Sequence, residues 1–218
     1  MLFTALWLAF FAAPFWATTP PEQWTESQLA SMFEASSPWV QGRRPPLSQP
    51  EQQIEDLEQR ASGPKLSTER VAHLYISSAE PMWLAEQEMH RRHPPPENGE
   101  YDDSAWDEYA DFMEANRNDY IVISVYVPFP QYFEREKERR RMEAKSVLVV
   151  GKTKHKMVGH FPPTLQDKYL RLVFPRAVQP GDGNKEFFFD LYIPGVRKPF
   201  RGLMFNTSRM QYKGRPEW

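Results

Sequence analysis

The chain contains no cysteine, and this absence removes a whole set of functions. Disulfide bonds, thiolate catalysis, iron–sulfur clusters, c-type haem attachment and a lipid-modified N-terminal cysteine all require a thiol. The sequence also lacks an excess of either charge, since 27 Lys and Arg residues oppose 29 Asp and Glu residues and leave a net charge of −2. A nucleic-acid-binding protein needs a basic face, so we expect no nucleic-acid partner.

Recognisable catalytic motifs are absent as well. The sequence has no G-x-S-x-G nucleophile elbow, no phosphate-binding loop, no dinucleotide-binding glycine fingerprint and no H-E-x-x-H metal motif. We therefore expect no cofactor, and the sequence favours a protein that is not an enzyme. The sequence does contain enough hydrophobic residues for a packed core: they make up 40% of the 218 residues, and aromatic residues make up 14%. This composition predicts a packed domain rather than a disordered chain.

The first 17 residues, Met1–Ala17, are almost entirely apolar. As a helix they would span roughly 26 Å, which is short for a ~30 Å hydrocarbon core, and Pro14 would disturb that helix. We interpret 1–17 as a signal peptide, and expect the mature chain to be periplasmic or extracellular with no membrane span. The alternative is a membrane-anchoring helix, because no Lys or Arg precedes Arg43, and Phe15 is not the small residue that a cleavage signal favours there.

Residues 18–65 predict a helical arm and a proline-rich linker, with a second short helix after the prolines. The first helix begins with Thr25 and Gln28, which have the spacing of a capping box. A helix this short is not stable alone, so its apolar face must dock on the main domain or on a partner. Trp24 and Trp39 flank it, and we consider both core docking and a surface that binds a protein or glycan partner.

Residues 66–218 form the predicted main domain, organised around the β-branched run 120–127, Tyr-Ile-Val-Ile-Ser-Val-Tyr-Val. A run this short and apolar predicts a central strand covered on both faces. Helices are predicted early and strands late, which indicates an α+β fold: a mostly antiparallel sheet with helices packed on one face, preceded by a helical N-terminal arm. The predicted helices span 81–91, 104–113 and 130–144. The other predicted strands span 70–76, 146–150, 154–161, 169–174, 186–193, 199–205 and 209–213.

Several short motifs, taken in order, resemble an uncharacterised family of secreted proteins of acidobacterial type. They are Trp24-Thr-Glu, Ser37-Pro-Trp39, Ile76-Ser-Ser-Ala79, Phe174-Pro-Arg176 and Met210-Gln-Tyr-Lys-Gly-Arg215. The resemblance spans nearly the whole mature chain and implies export and a shared fold. The family has no established activity, so the resemblance transfers no ligand and no site residue.

Candidate metal ligands occur on one predicted helix. Glu86, His90 and His93 lie at positions i, i+4 and i+7, which places them on one helical face. Histidines near a helix C-terminus also simply complement the helix dipole. His155 and His160 are separated by an odd number of residues, so a single regular strand would place them on opposite faces. We therefore predict no metal site. The weak candidates for metal ligands are Glu86, His90 and His93.

Arg176 follows Phe174 and Pro175 at the predicted end of a strand. Pro175 cannot donate a ladder hydrogen bond, so it is expected to end the strand or lie at an edge. We predict that Phe174 is a core residue and that Arg176 holds the chain through a charge-assisted hydrogen bond to a carboxylate or carbonyl. The functional alternative is that Arg176 binds an anionic ligand.

Two functions remain open at this stage. The favoured hypothesis is an exported, non-enzymatic envelope or extracellular protein that binds a protein or glycan partner. The alternative is a secreted hydrolase whose site is assembled from dispersed Asp, Glu and His residues. A histidine among His73, His155 and His160 that meets a carboxylate inside a pocket would favour the hydrolase.

Overall fold

The computed structural model describes residues 13–43, 72–94, 103–127, 130–179, 186–196 and 199–218. Its helices are α1 (Phe15–Thr18), α2 (Glu26–Met32), α3 (Glu80–Arg92), α4 (Ser104–Asn116) and α5 (Glu136–Lys145). Its strands are β1 (Val40–Arg43), β2 (Ala72–Ile76), β3 (Tyr120–Tyr126), β4 (Val147–Val150), β5 (Thr153–Lys156), β6 (Gly159–Phe161), β7 (Tyr169–Pro175), β8 (Glu186–Leu191), β9 (Phe200–Asn206), β10 (Gln211–Tyr212) and β11 (Arg215–Pro216). The predicted second short helix, the proline-rich linker from residue 44 onward and residues 1–12 lie outside the described residues, while the first linker residues, 41–43, form part of β1.

A five-stranded sheet in the order β1-β2-β3-β7-β6 forms the centre of the described fold. Every described pairing in it is antiparallel. β3 lies in the middle, paired with β7 along its whole length. Its residues 121–125 are all buried, because one face packs on helices and the other on a second sheet. The predicted central strand, covered on both faces, is confirmed.

A second described sheet, in the order β5-β4-β8-β9, packs against the first. Phe174 of β7 and Phe189 of β8 meet in the shared core with ring centroids 5.2 Å apart. The single strand predicted over 154–161 is wrong: β5 belongs to the second sheet and β6 to the first. The chain changes sheets at Met157 and Val158, so His155 and His160 lie in different sheets rather than on opposite faces of one strand.

Helices α3 and α4 cover the remaining face of the five-stranded sheet. Trp83 of α3, Tyr109 and Met113 of α4, and the strand residues Val122 and Val173 form one apolar cluster there. The fold is therefore layered as helices, first sheet and second sheet, and the predicted α+β class with helices on one sheet face is confirmed. The predicted helix 130–144 divides into a 3₁₀ turn over 130–134 and α5, which packs against β5 and β8 of the second sheet.

The N-terminal arm is part of the same core. Thr25 and Gln28 form the predicted capping box, with Thr25 N donating to Gln28 Oε1 at 2.9 Å and Gln28 N donating to Thr25 Oγ1 at 3.2 Å. β1 then adds an edge strand beside β2. Trp24 and Trp39 are 2% and 0% exposed, so they dock on the core and present no face to a partner.

Several of the motif segments meet around Glu217 and Trp218. The Trp39 indole N–H donates to the Glu217 carbonyl at 2.7 Å. Arg176 donates to main-chain oxygens of Trp218, Arg117 and Tyr120, the last two at 2.8 and 3.0 Å. The predicted structural role of Arg176, a charge-assisted bond to a carbonyl, agrees with this geometry, and its partners are the Trp218 carbonyl and the carbonyls of Arg117 and Tyr120 at the start of β3. Phe174 is fully buried and Pro175 ends β7, as predicted.

The start of α4 and the lengths of the helices remain to be described. Asp103 occupies the N-cap position of α4 without a side-chain capping bond. Within the described ranges, no helix combines the length and the apolarity needed to cross a membrane.

Candidate functional site

A cleft of about 210 Å³ opens where α3, the start of α4 and the helix-covered face of the first sheet meet. We call it the Glu86 cleft. Its aromatic lining consists of Phe33, Tyr75, Trp106 and Tyr169. Its charged and polar lining consists of Glu86, His90, His93, Asp103, Gln166, Asp167 and Arg171, with Met89 beside them.

The polar floor of the cleft follows from strand register. Tyr75, Ser124 and Arg171 lie opposite one another on β2, β3 and β7, so their side chains stand in a row on one face of the sheet. Neighbouring positions on these strands point into the apolar core between the sheets. The row is therefore a polar strip beneath the helices, and it requires hydrogen-bond partners because it is buried.

Glu86 of α3 supplies the partner for this strip. Its carboxyl is 5% exposed and accepts hydrogen bonds from the Tyr75 hydroxyl at 2.7 Å and the Tyr109 hydroxyl at 2.6 Å, one on each oxygen. Burial raises the pKa of Glu86, while Arg171 and the two hydroxyl donors oppose that rise. Glu86 is thus a buried acid held in place by two donors and one nearby cation.

Arg171 is the cation of the floor and is only 3% exposed. It forms an ion pair with Asp167, its Nη2 lies 4.0 Å from Glu86 Oε1, and its guanidinium lies 3.9 Å from the Tyr109 ring centroid. Burial opposes the charge, but Glu86 and its neighbours outweigh burial and raise the Arg171 pKa further. The Nε atom of this guanidinium has no hydrogen-bond partner among the described residues.

The tyrosines around this pair remain protonated far into the alkaline range. Burial is the main cause, and Glu86 adds to it, raising the pKa values of Tyr75 and Tyr109 well above 10 and that of Tyr169 to about 12. These hydroxyls therefore serve as fixed hydrogen-bond donors and do not act as bases near neutral pH.

The rim of the cleft is aromatic and acidic. His90 stacks on Trp106 with ring centroids 4.3 Å apart, and its Nε2 lies 3.1 Å from Asp103 Oδ2. His93 is exposed just beyond α3. The metal candidates Glu86, His90 and His93 do line the same cleft, but Glu86 faces tyrosines and His90 faces Asp103. Among the described residues, no three His, Cys, Asp or Glu side chains are arranged to hold a metal ion.

A second described depression contains His160. His160 Nδ1 lies 3.8 Å from Glu143 Oε1, beyond hydrogen-bond distance. Burial lowers the His160 pKa, so the ring stays neutral. The depression beside it combines apolar residues, such as Phe133 and Leu165, with the polar side chains of Gln131, Glu134 and Arg139. The side chain of His73 lies outside the described residues.

The sequence-predicted binding residues lie away from the cleft. Trp24 and Trp39 are buried, and Arg176 donates to three main-chain carbonyls. Sequence reasoning missed Tyr75, Tyr109, Asp167 and Arg171. One signal for Arg171 was available: it interrupts the apolar run 169–174, where a charge on a covered strand requires a partner.

Comparison with known proteins assigns neither a family nor a function to this chain. No model of a protein family, no curated protein and no solved structure matches this chain. The resemblance to a secreted family therefore stays a prediction, and the function rests on the geometry of the cleft.

Proposed function

We propose that the chain is an exported binding protein without a reaction of its own, and that its ligand is a small organic cation held in the Glu86 cleft. The observation that carries this proposal is an aromatic-lined cleft with an excess of carboxylates. Export is supported by the apolar segment 1–17.

The charge balance of the lining selects for a cation. Among the described lining residues three carboxylates, those of Glu86, Asp103 and Asp167, face the single guanidinium of Arg171. The arginine can neutralise only one of them, so the ionised carboxylates outnumber the guanidinium in the cleft. A concave, partly desolvated site concentrates that potential on whatever enters.

The aromatic lining favours an organic cation over a hydrated metal ion. Phe33, Trp106 and Tyr169 are each partly exposed at the mouth of the cleft. Aromatic faces attract alkylammonium groups through their quadrupoles and also bury the apolar parts of such groups. The cleft volume of about 210 Å³ suits a compact ligand rather than a polymer.

The hydrolase alternative is less well supported by the same geometry. A general acid must have a proton free to reach the substrate, yet both Glu86 oxygens already accept tyrosine hydrogen bonds. The His90–Asp103 contact resembles part of a catalytic triad, but no serine, threonine or cysteine occurs among the described lining residues. This arrangement of the acids and the histidine supports binding over catalysis.

The test compares choline with 3,3-dimethylbutan-1-ol, its uncharged carbon isostere, by isothermal titration calorimetry on the purified chain. We expect choline to bind and the isostere to bind at least tenfold more weakly, because only choline gains from the net negative charge. Equal binding of the two, or binding of neither choline nor other alkylammonium ions, contradicts the proposal.

A matched pair of variants localises the site. Asp103→Asn removes one rim charge, and Asp111→Asn removes the same charge from an exposed position on the same helix that does not line the cleft. We expect Asp103→Asn to weaken choline binding roughly 3- to 10-fold and Asp111→Asn to leave it unchanged. Equal effects of the two would indicate nonspecific attraction to an acidic surface.

A further inference from the structure

The short helix α1 packs into the core although it overlaps the segment predicted to be removed on export. The Phe15 ring meets the Trp24 ring edge-on, with centroids 5.5 Å apart. The Trp16 ring meets Trp39 in the same way at 5.9 Å, and Phe15 and Trp16 contact each other at 5.1 Å. Both residues are partly buried and pack against the main core cluster.

The two tryptophans beneath α1 are each held by an indole hydrogen bond. Trp24 donates its indole N–H to the Thr19 carbonyl at 2.9 Å, and Trp39 donates to the Glu217 carbonyl at 2.7 Å. Their near-complete burial is achieved with Phe15 and Trp16 in place. A chain that began at Thr18 would lose both covering rings and expose part of each indole to water, which is unfavourable for large apolar surfaces.

We infer that Phe15 and Trp16 belong to the folded protein, and that any removal of the apolar leader occurs at or before residue 14 rather than after Ala17. Ala13 is exposed, and the Pro14 carbonyl accepts the Ala17 N–H at 2.9 Å, so a cut before Pro14 leaves α1 and its packed rings undisturbed. The inference rests on packing alone and does not depend on the ligand of the Glu86 cleft.

The mass of the processed protein tests the position of the cut. The full chain is expressed in a secreting bacterial host, and the intact mass of the folded product is measured. A product that retains Phe15 and Trp16, whether cut upstream or uncut, supports the inference. A folded product that begins at Thr18 overturns it.

Full-length variants test whether the rings contribute to folding. Trp16→Ala removes the ring, whereas Trp16→Phe keeps an aromatic ring and removes an indole N–H that has no acceptor among the described residues. We expect Trp16→Ala to lower the melting temperature by roughly 4–10 °C and Trp16→Phe by less than half of that. If both variants melt at the same temperature as the unaltered chain, the inference is overturned.

Discussion

The buried pair of Arg171 and Glu86 allows the sharpest prediction about the floor of the cleft. Arg171→Met keeps most of the side-chain volume and removes the guanidinium, so the carboxylates of Glu86 and Asp167 lose their buried cation. Breaking a buried ion pair on one side costs about 3–5 kcal/mol, because the remaining charge stays desolvated. That is a large part of a typical unfolding free energy of ~5–15 kcal/mol.

Urea unfolding followed by circular dichroism measures this loss. Arg209→Met, at an exposed arginine outside the cleft, is the control and should stay within about 0.5 kcal/mol. The double variant Arg171→Met/Glu86→Gln should be at least about 1 kcal/mol more stable than the sum of the single variants predicts, because the two groups interact.

The same variant should respond to pH in a defined direction. Without Arg171, the pKa of Glu86 rises further, and an acid whose folded pKa exceeds its unfolded pKa favours the folded state when protonated. Arg171→Met should therefore regain stability as the pH falls from 7 towards 5, and the double variant should regain less. A loss below about 1 kcal/mol for Arg171→Met, or strict additivity, refutes the proposed buried pair.

Three further predictions concern the scaffold. Phe174→Ala should lower the unfolding free energy by about 3–5 kcal/mol in a urea melt, whereas Met204→Ala, at a side chain 42% exposed, should cost far less; equal losses would show that Phe174 is not core. Gly195→Ala should lower the melting temperature more than Gly202→Ala, because both glycines have positive φ but only the new Cβ at 195 meets a side chain, Tyr132, at 2.7 Å; similar melts would contradict this contact. Hydrogen bonds from Arg91 and Arg92 hold the Glu88 pKa at about 2, so stability should fall as the pH drops from about 4.5 towards 2, and Glu88→Gln should flatten that slope in pH-dependent melts.

Local signals in the sequence predicted the local structure well. The β-branched run of β3 and the Thr25–Gln28 capping box depend on neighbours within a few residues, and both were found where expected. The crossing between β5 and β6 was missed because Met157 and Val158, where the chain changes sheets, include neither the proline nor the glycine that would indicate a turn. Only the competition between two sheets for strand partners decides where the chain changes sheets.

The cleft was harder to predict because its members are distant in the chain. An acid such as Glu86 on an amphipathic helix normally faces water. Its burial depends on Tyr75, Tyr109 and Arg171, which come from two strands and another helix. Sequence spacing placed Glu86, His90 and His93 on one face, and they do line one cleft, but spacing along one helix does not show what stands opposite.

The most direct test of the cleft as a ligand site is a titration of choline into ¹⁵N-labelled protein, observed through the indole N–H signals of its seven tryptophans. Trp106 lines the cleft, whereas Trp24, Trp39 and Trp218 are buried elsewhere in the core. With the Trp106 signal assigned from the spectrum of Trp106→Phe, we expect that signal to shift saturably while those of the three buried tryptophans stay fixed. A Trp106 signal that does not move at saturating choline, or uniform shifts of all the indole signals, would contradict the proposal that this cleft binds an organic cation.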